Sequence, residues 1–394
     1  MRVLFAGGGT GGHVCPAVAV ARALTRIAPE TETLFLGTSR PVEKRILDKA
    51  ALPHVALPSA PLGWRTLGRN ARGFMRAYLE TRRFMPSVVL GLGGYASAPG
   101  VLAGRACGAR VALFEPNAVP GKATTTLARF ASEVYVRWPQ PAATSVVETG
   151  VPLNENGVAP ASLTKKKARA LLDLPEDRPC VLIVGGSQGA RPLNRWIMSS
   201  IHEVAPRVSF IHIAGSEDLD LVRHAYATAD VEARVVPFLD GMGTAYRAAT
   251  FAVARAGAAT LAELAAEGLP AMLVPLPSSA LDHQRANARA YELAGGAVTK
   301  DESELSEQTL EQVVAMCEDE PLLLGLAARA RVQARPSAAI AIAERILTLG
   351  DYRIEAASAD TRKGMWGHSV SAGHAVPPHP DSQRTAERVP AGAL

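Results

Sequence analysis

Long apolar runs are missing from this chain. No uninterrupted hydrophobic segment approaches the roughly 20 residues that a bilayer-spanning helix needs, and the opening MRVLFAGGG breaks into glycine too early for a signal peptide. Both absences predict a cytoplasmic protein. Cysteine is sparse: Cys15, Cys107, Cys180 and Cys317 show neither pairing nor metal-ligand spacing, which predicts buried thiols in a reducing compartment and no metal site. Aromatics make up 5% of 394 residues, few lie beside basic residues in a stacking arrangement, and no nucleic-acid module signature occurs. Nucleic acid therefore ranks last among partners. A carboxylate is also missing at the end of the second strand, LFLGTSR over 34–40, from which a nicotinamide dinucleotide fold would hold the ribose. Arg40 could meet a 2′-phosphate there, so an NADP-linked oxidoreductase stays open as an alternative.

Hydrophobic residues are nonetheless 48% of the chain, with a mean hydropathy of +0.08, and the length suits two domains plus a tail. The net charge of +5 hides an asymmetry: residues 1–150 hold 18 Lys and Arg against 8 Asp and Glu, the remainder 24 against 29. A basic first half attracts nucleic acid, anionic headgroups or phosphorylated substrates, and charge alone does not choose among them. Strand and helix signals alternate over 1–150, with strands near 2–6, 33–37, 87–91, 110–114 and 133–137, then restart with strands near 180–184, 208–213, 233–236, 251–254 and 271–274. This predicts an α/β protein with helix-wrapped parallel sheets. Glu148–Thr164 reads as a linker, 165–172 as a charged helix and 336–348 as a closing helix. The resulting division is 1–155, 165–335, a closing element at 336–350, and a disordered tail over 355–394 whose His368, His374 and His379 read as solvated rather than metal-binding.

Two glycine loops carry the chemistry. GGGTGGH at 7–13 and GGSQG at 185–189 each follow an apolar strand and precede a helix, a geometry that aims backbone N–H groups and a helix dipole at an anion. The first also satisfies G-x-G-x-x-G through Gly7, Gly9 and Gly12, which alone is weak. His13, at the helix start, would be a neutral imidazole able to accept a proton, or else only a capping residue. A third loop, GLGGYASAPG at 91–100, offers Gly93, Gly94 and Ser97 as a second cradle, or simply tight strand–helix packing. Glu263, on the helix after ARAGAA, suits the paired hydroxyls of a ribose, or favours the helix dipole. His283, Gln284 and Asn287, in DHQRANA, have the groups that read sugar hydroxyls.

Taken in order, GGGTGGHVCPAVAVA, GGYASAP, FEPNAVPG, GGSQGARPLN, AGAATLAELAAEGLP and DHQRANA closely resemble the MurG family, the UDP-N-acetylglucosamine:undecaprenyl-pyrophosphoryl-muramoyl-pentapeptide N-acetylglucosaminyltransferases of bacterial cell-wall synthesis. The resemblance runs over residues 1 to about 350. It implies a GT-B fold, two Rossmann-like domains facing across a cleft, with UDP-GlcNAc as donor substrate and no tightly bound cofactor. Thr10, Gly11, Gly12, Asn117, Ser187, Gln188, Gly189, Leu239, Glu263, His283, Gln284 and Asn287 would meet the donor, with Phe238 and Met242 near the uracil. Gly9, Gly93, Gly94, Tyr95 and Ser97 would meet the lipid I acceptor, and His13 and Asn117 would serve catalysis. Departures from the family pattern fall at Phe114 and Pro116, at Ala256 in place of a serine, and at Leu153 in place of an arginine whose phosphate contact Arg191 or Arg255 could supply. A transferase with a soluble acceptor and a non-catalytic nucleotide-binding module remain alternatives.

A lipid-linked acceptor implies contact with the cytoplasmic face of the inner membrane as a peripheral protein. The stretch 61–86 is the candidate: Arg65, Arg69, Arg72, Arg76, Arg82 and Arg83 stand against Glu80 alone, with Leu62, Trp64, Leu67, Phe74 and Tyr78 among them. Trp64, Arg69, Arg72, Phe74 and Arg76 are the expected membrane contacts. The competing reading is a solvated helix whose apolar side packs on the domain.

Overall fold

The computed structural model describes residues 1–9, 11–58, 66–139, 145–186, 189–204, 207–239 and 241–351. The tail expected to be disordered lies outside them, as do Trp64, Thr10, Ser187 and Gln188.

The first half runs β1 (Arg2–Ala6), α1 (Gly11–Ile27), β2 (Glu32–Gly37), α2 (Pro41–Lys49), β3 (His54–Ala56), α3 (Leu67–Phe84), β4 (Val88–Gly91), α4 (Ser97–Ala106), β5 (Arg110–Glu115), α5 (Lys122–Leu127), β6 (Glu133–Val136) and β7 (Ser145–Glu148). The second runs α6 (Lys165–Leu171), β8 (Cys180–Val184), α7 (Arg191–Ser200), β9 (Ser209–Ile213), α8 (Leu219–Thr228), β10 (Ala233–Val236), α9 (Met242–Ala248), β11 (Phe251–Ala254), α10 (Ala258–Glu267), β12 (Ala271–Leu273), α11 (His283–Leu293), β13 (Ala297–Thr299), α12 (Glu307–Glu318), α13 (Glu320–Val332) and α14 (Ala338–Leu349).

Two wholly parallel sheets result, ordered β3-β2-β1-β4-β5-β6-β7 and β10-β9-β8-β11-β12-β13. Helices cover both faces, so central strands such as VVLG and CVLIV are buried throughout and read as continuous apolar runs. Each sheet reverses its winding once, beside β1 and β4 in the first and beside β8 and β11 in the second. The crevice beyond the carboxyl ends of strands at such a reversal is where open α/β sheets bind ligands. Residues 7–9 and 92–96 flank one crevice, and residues 185, 186, 189, 190 and 255–257 the other.

The expected strands all form, and the expected helices at 165–172 and 336–348 appear as α6 and α14. Three strands went unread. β3 and β7 are short and half-buried at sheet edges, where apolar patterning is weak, and β13 has three residues. β7 extends to Glu148, so the connector begins one residue later than the sequence suggested. The last helix does not stay with the second sheet. Ile342, Ala343, Ile346 and Leu347 of α14 share a core with Val3, Phe5, Val14 and Val18 of the first, and Ala258 and Ala262 of α10 join the same core. Both sheets accordingly belong to one compact unit.

Candidate active site

The two crevices open onto a single cleft of about 1810 Å3, lined from the first half by Gly11, Gly12, His13, Gly93, Gly94, Tyr95 and Asn117, and from the second by Gly186, Leu239, Glu263, His283, Gln284 and Asn287. Sequence positions up to 276 residues apart, from Gly11 to Asn287, are thereby brought to one space.

The first glycine loop holds an anion of the chain's own. Glu43, from the first turn of α2, is 2% exposed. Its carboxylate accepts from the Gly9 N–H at 2.9 Å, from the Thr38 N–H at 3.0 Å and from the Thr38 hydroxyl at 2.6 Å. A Cβ on Gly8 would stand 2.5 Å from Glu43 Oε1, and one on Gly37 1.5 Å from it, so glycine is required at both positions to admit this side chain. Arg40 donates to the Gly9 carbonyl at 2.8 Å and is thereby turned onto the loop. Gly9 thus has its N–H and carbonyl engaged within the protein, and the part of the loop that remains for a ligand is Gly11–Gly12, the start of α1. No signal in LFLGTSR pointed to Glu43, because its carboxylate reaches back from the next helix.

His13, in the first turn of α1, faces the cleft beside Gly93, whose Cβ would lie 3.7 Å from Nε2. Desolvation lowers its pKa below the usual 6.5; Glu115 opposes this shift and His283 adds to it, so the imidazole is neutral at pH 7. Glu115 is buried and folds its own loop: Oε1 accepts from Asn117 N and Nδ2 at 3.1 and 2.9 Å, and Oε2 from Gly121 N and Thr124 Oγ1 at 2.9 and 2.7 Å. Sequence reasoning passed over it.

Across the cleft Asn287 is fully buried. Its Oδ1 accepts from Ala118 N at 2.8 Å, and its Nδ2 donates to Asn117 Oδ1 and to Ala256 O, each at 3.1 Å. His283 Nδ1 lies 3.1 Å from the Val119 carbonyl. Two successive left-handed residues, Leu281 at φ 52° and Asp282 at φ 53°, turn the chain so that His283 can open α11 here. Asn287, expected on the sugar, thus clasps the 117–119 loop to α11 with every polar atom engaged, and Asn117 is held between Glu115 and Asn287.

On the second half, α10 starts at Ala258 with no side chain capping it, and Gly257, Ala258, Ala259 and Thr260 line the cleft, so the first N–H groups and the helix dipole face open space. Gly186, at φ 95°, has nothing within 4 Å of a Cβ, which leaves its backbone open to the cleft. Gly189 is different: its Cβ would stand 2.3 Å from the Ala214 carbonyl, and it serves the close packing of loop on strand. Glu263 sits in the second turn of α10, too deep to act on the helix dipole. It accepts from the Tyr246 hydroxyl at 2.7 Å, and burial raises its pKa to about 7 although that bond opposes the shift. Gln284 Oε1 takes the N–H groups of Ala256 and Leu276, at 3.1 and 3.0 Å, so only its Nε2 can act on a ligand.

Several expectations change in detail. Ser97 is 1% exposed and donates to the Gly94 carbonyl at 2.8 Å, so it shapes the 91–97 loop instead of facing the cleft. Arg191 pairs with Glu217 and Asp218. Arg255 is buried, donates to the carbonyls of Val274 and Pro275, and pairs with Glu302. Arg255 is therefore committed within the protein and does not replace the arginine missing at Leu153, and Arg191, half exposed, does not line the cleft. Among the described residues, no group of three His, Cys, Asp or Glu side chains could hold a metal ion. In α3 the buried stripe is Gly73, Ala77 and Thr81, while Phe74, Met75, Tyr78 and Leu79 are exposed beside Arg69, Arg72 and Arg76. Ala77 and Phe84 of that helix pack on the core of the first sheet, whereas Phe74, Met75, Tyr78 and Leu79 belong to no core cluster, and Phe74 reaches the cleft rim.

Two parallel sheets with paired crevices and glycine loops opening onto one cleft define a GT-B architecture of the nucleotide-sugar transferase type. Family models agree: the glycosyltransferase family 28 N-terminal domain matches residues 3–136 and its C-terminal domain residues 180–343. The chain belongs to glycosyltransferase family 28. It is 39% identical over 332 residues to the UDP-N-acetylglucosamine--N-acetylmuramyl-(pentapeptide) pyrophosphoryl-undecaprenol N-acetylglucosamine transferase of Desulfotalea psychrophila, covering 79% of this chain and 87% of that protein. The enzyme of the same name from Chlorobaculum tepidum is 35% identical over 366 residues, 89% of this chain and 99% of its own. The crystal structure of Acinetobacter baumannii MurG superposes with a TM-score of 0.71 at 29% identity, over 88% of this chain and 99% of that one.

Proposed function

We propose that this chain is an inverting N-acetylglucosaminyltransferase that moves GlcNAc from UDP-GlcNAc to the C4 hydroxyl of the N-acetylmuramoyl unit of undecaprenyl-pyrophosphoryl-MurNAc-pentapeptide, converting lipid I to lipid II. The observation that carries the reading is one cleft receiving both sheet crevices, in a chain whose curated relatives bear that activity in their names. Residues 1–155 form the acceptor half and 165–335 the donor half, with 336–350 closing the molecule onto the first.

In this reading Glu263 in its ionised form accepts the ribose hydroxyls, Leu239 and Phe238 flank the uracil, and the 185–189 loop, through Ser187 and Gln188 and seated by the close packing of Gly189, holds the diphosphate together with the start of α10. Gln284 Nε2 and His283 meet the donor sugar or diphosphate. Asn287 acts one step back, by fixing Asn117 and Ala118. Thr10, Gly11 and Gly12 meet the donor from the opposite wall, while Gly93, Gly94 and Tyr95 form the acceptor cradle, with Gly9 and Ser97 acting one step back, through the loops they shape. His13 removes the proton from the C4 oxygen as that oxygen bonds to C1 of GlcNAc. The bond from C1 to the diphosphate breaks, its electron pair leaves with UDP, and the configuration inverts. Preoriented N–H groups stabilise the charge that develops on the diphosphate, and losing one such donor lowers turnover roughly a hundredfold or more.

No helix among the described residues is long and apolar enough to cross a membrane. The exposed apolar and arginine residues of α3, with Trp64, instead rest the protein on anionic lipid at the cytoplasmic face of the inner membrane. The deciding experiment is UDP release from UDP-GlcNAc with a lipid I analogue, with soluble sugars, and with no acceptor. Release dependent on the lipid I analogue supports the reading; release driven as well by soluble sugars points to the soluble-acceptor alternative.

A further inference from the structure

We propose that a second, smaller pocket behind the cleft is an oxyanion site, built around Arg137 and of a size and charge for inorganic phosphate. Arg137 follows β6 directly and is 7% exposed. Its guanidinium carbon lies 4.6 Å from the Trp138 ring centre and 5.6 Å from that of Tyr291, yet Nη2 is buried without a hydrogen-bond partner. No carboxylate among the described residues pairs with it. Glu148 lines the same pocket but is taken by Arg335 at 3.0 Å. The pocket thus carries two guanidinium groups against one carboxylate.

An unpaired buried cation is strongly unfavourable, and two aromatic faces offset only part of that penalty. Burial lowers the Arg137 pKa to about 10, which leaves it charged at neutral pH. The Tyr291 hydroxyl is likewise buried without a partner. The space is about 210 Å3, several times the roughly 30 Å3 share of one water in the liquid, and Gln333 adds a further donor to its wall. A small oxyanion in this space meets the part of the Arg137 side chain that lines it and neutralises the site.

The position gives the anion a consequence. The walls come from the end of the first sheet, from the 150–153 connector, and from α10, α11 and the end of α13, so the ligand would bind at the junction of the two halves. Leu153 lines both this pocket and the cleft, and Ala262 on its wall precedes Glu263. Occupancy therefore favours the arrangement of halves seen here.

The test is thermal unfolding of the full chain in inorganic phosphate against chloride at equal ionic strength, for the wild type, Arg137→Met and Arg137→Lys. Phosphate at a hundredfold excess over its dissociation constant is expected to raise the wild-type midpoint by about 3–5 °C. In Arg137→Met most of that rise is lost, while stability without phosphate is no lower than wild type. Arg137→Lys keeps the charge but not the planar fork, and weakens phosphate binding about 5- to 10-fold; it decides the matter if the methionine variant does not fold. A wild-type midpoint indifferent to phosphate, or an equal rise in the variants, overturns the proposal, the latter because the anion would then be in the catalytic cleft alone.

Discussion

Replacing Glu43 by glutamine tests whether the first glycine loop is held open by a carboxylate of its own. The side chain accepts two backbone N–H groups and one hydroxyl in a site 2% exposed. Glutamine keeps one acceptor oxygen and turns an NH2 toward the Gly9 N–H or the Thr38 N–H, donor against donor. Losing one charge-assisted bond removes about 1.5–3 kcal/mol, and the orphaned N–H adds a penalty of similar order, so about 3 kcal/mol is expected in all. Against a total stability of about 5–15 kcal/mol the variant still folds. The loss concentrates at the loop that leads into His13, so at saturating donor kcat/KM for a lipid I analogue falls at least tenfold, tenfold being about 1.4 kcal/mol of barrier. UDP affinity falls less than this, since the loops assigned to the uridine and the diphosphate leave the other sheet and Thr10, Gly11 and Gly12 meet the donor only from the opposite wall. A Glu43→Gln enzyme with wild-type melting and wild-type acceptor kinetics would refute the idea that this carboxylate shapes the loop, and an equal loss of UDP affinity would refute its restriction to the acceptor side.

Glu263→Gln separates stability from binding. A carboxyl whose folded pKa is raised to about 7 from 4.5 destabilises the fold as pH rises through that window, by up to about 3 kcal/mol. The variant should therefore be more stable than wild type at pH 8, lose the difference below pH 4.5, and bind UDP more weakly, which paired melts and UDP titrations would check. His13→Ala should lower kcat by about 10²–10⁴ with UDP affinity intact, and the wild-type acidic limb should fall below pH 6.5 because His13 titrates below its usual value; normal turnover in a folded variant removes the residue from the role. Asn287→Ala leaves the Ala118 N–H and Asn117 Oδ1 without their partner and should cost about 2–4 kcal/mol, with acceptor and donor kinetics both impaired; a change confined to the donor would contradict a clasp between halves. Phe74→Ser with Arg72→Glu should reduce sedimentation with anionic vesicles while leaving UDP binding unchanged, and undiminished, salt-insensitive sedimentation would argue against α3 as the membrane contact.

The local code of the chain determined a good deal: the strand–glycine–helix openings at 7–13 and 185–189, the alternation that makes two parallel sheets, and the helical start that lifts His13. These are read within a few residues, because side-chain period and glycine placement are properties of neighbouring positions. The arginine row of α3 was legible in the same way, but which face it buries was not. That depended on Gly73, Ala77 and Thr81 being small enough to meet the protein. Tertiary structure alone decided the rest. Glu43 meets Gly9 across 34 residues, and Asn287 meets Asn117 across 170. The orphaned guanidinium of Arg137 exists only because β6, the connector and α11 converge. Such polar pairings depend on desolvation and on the distance between elements, and neither is written in the spacing of residues along the chain.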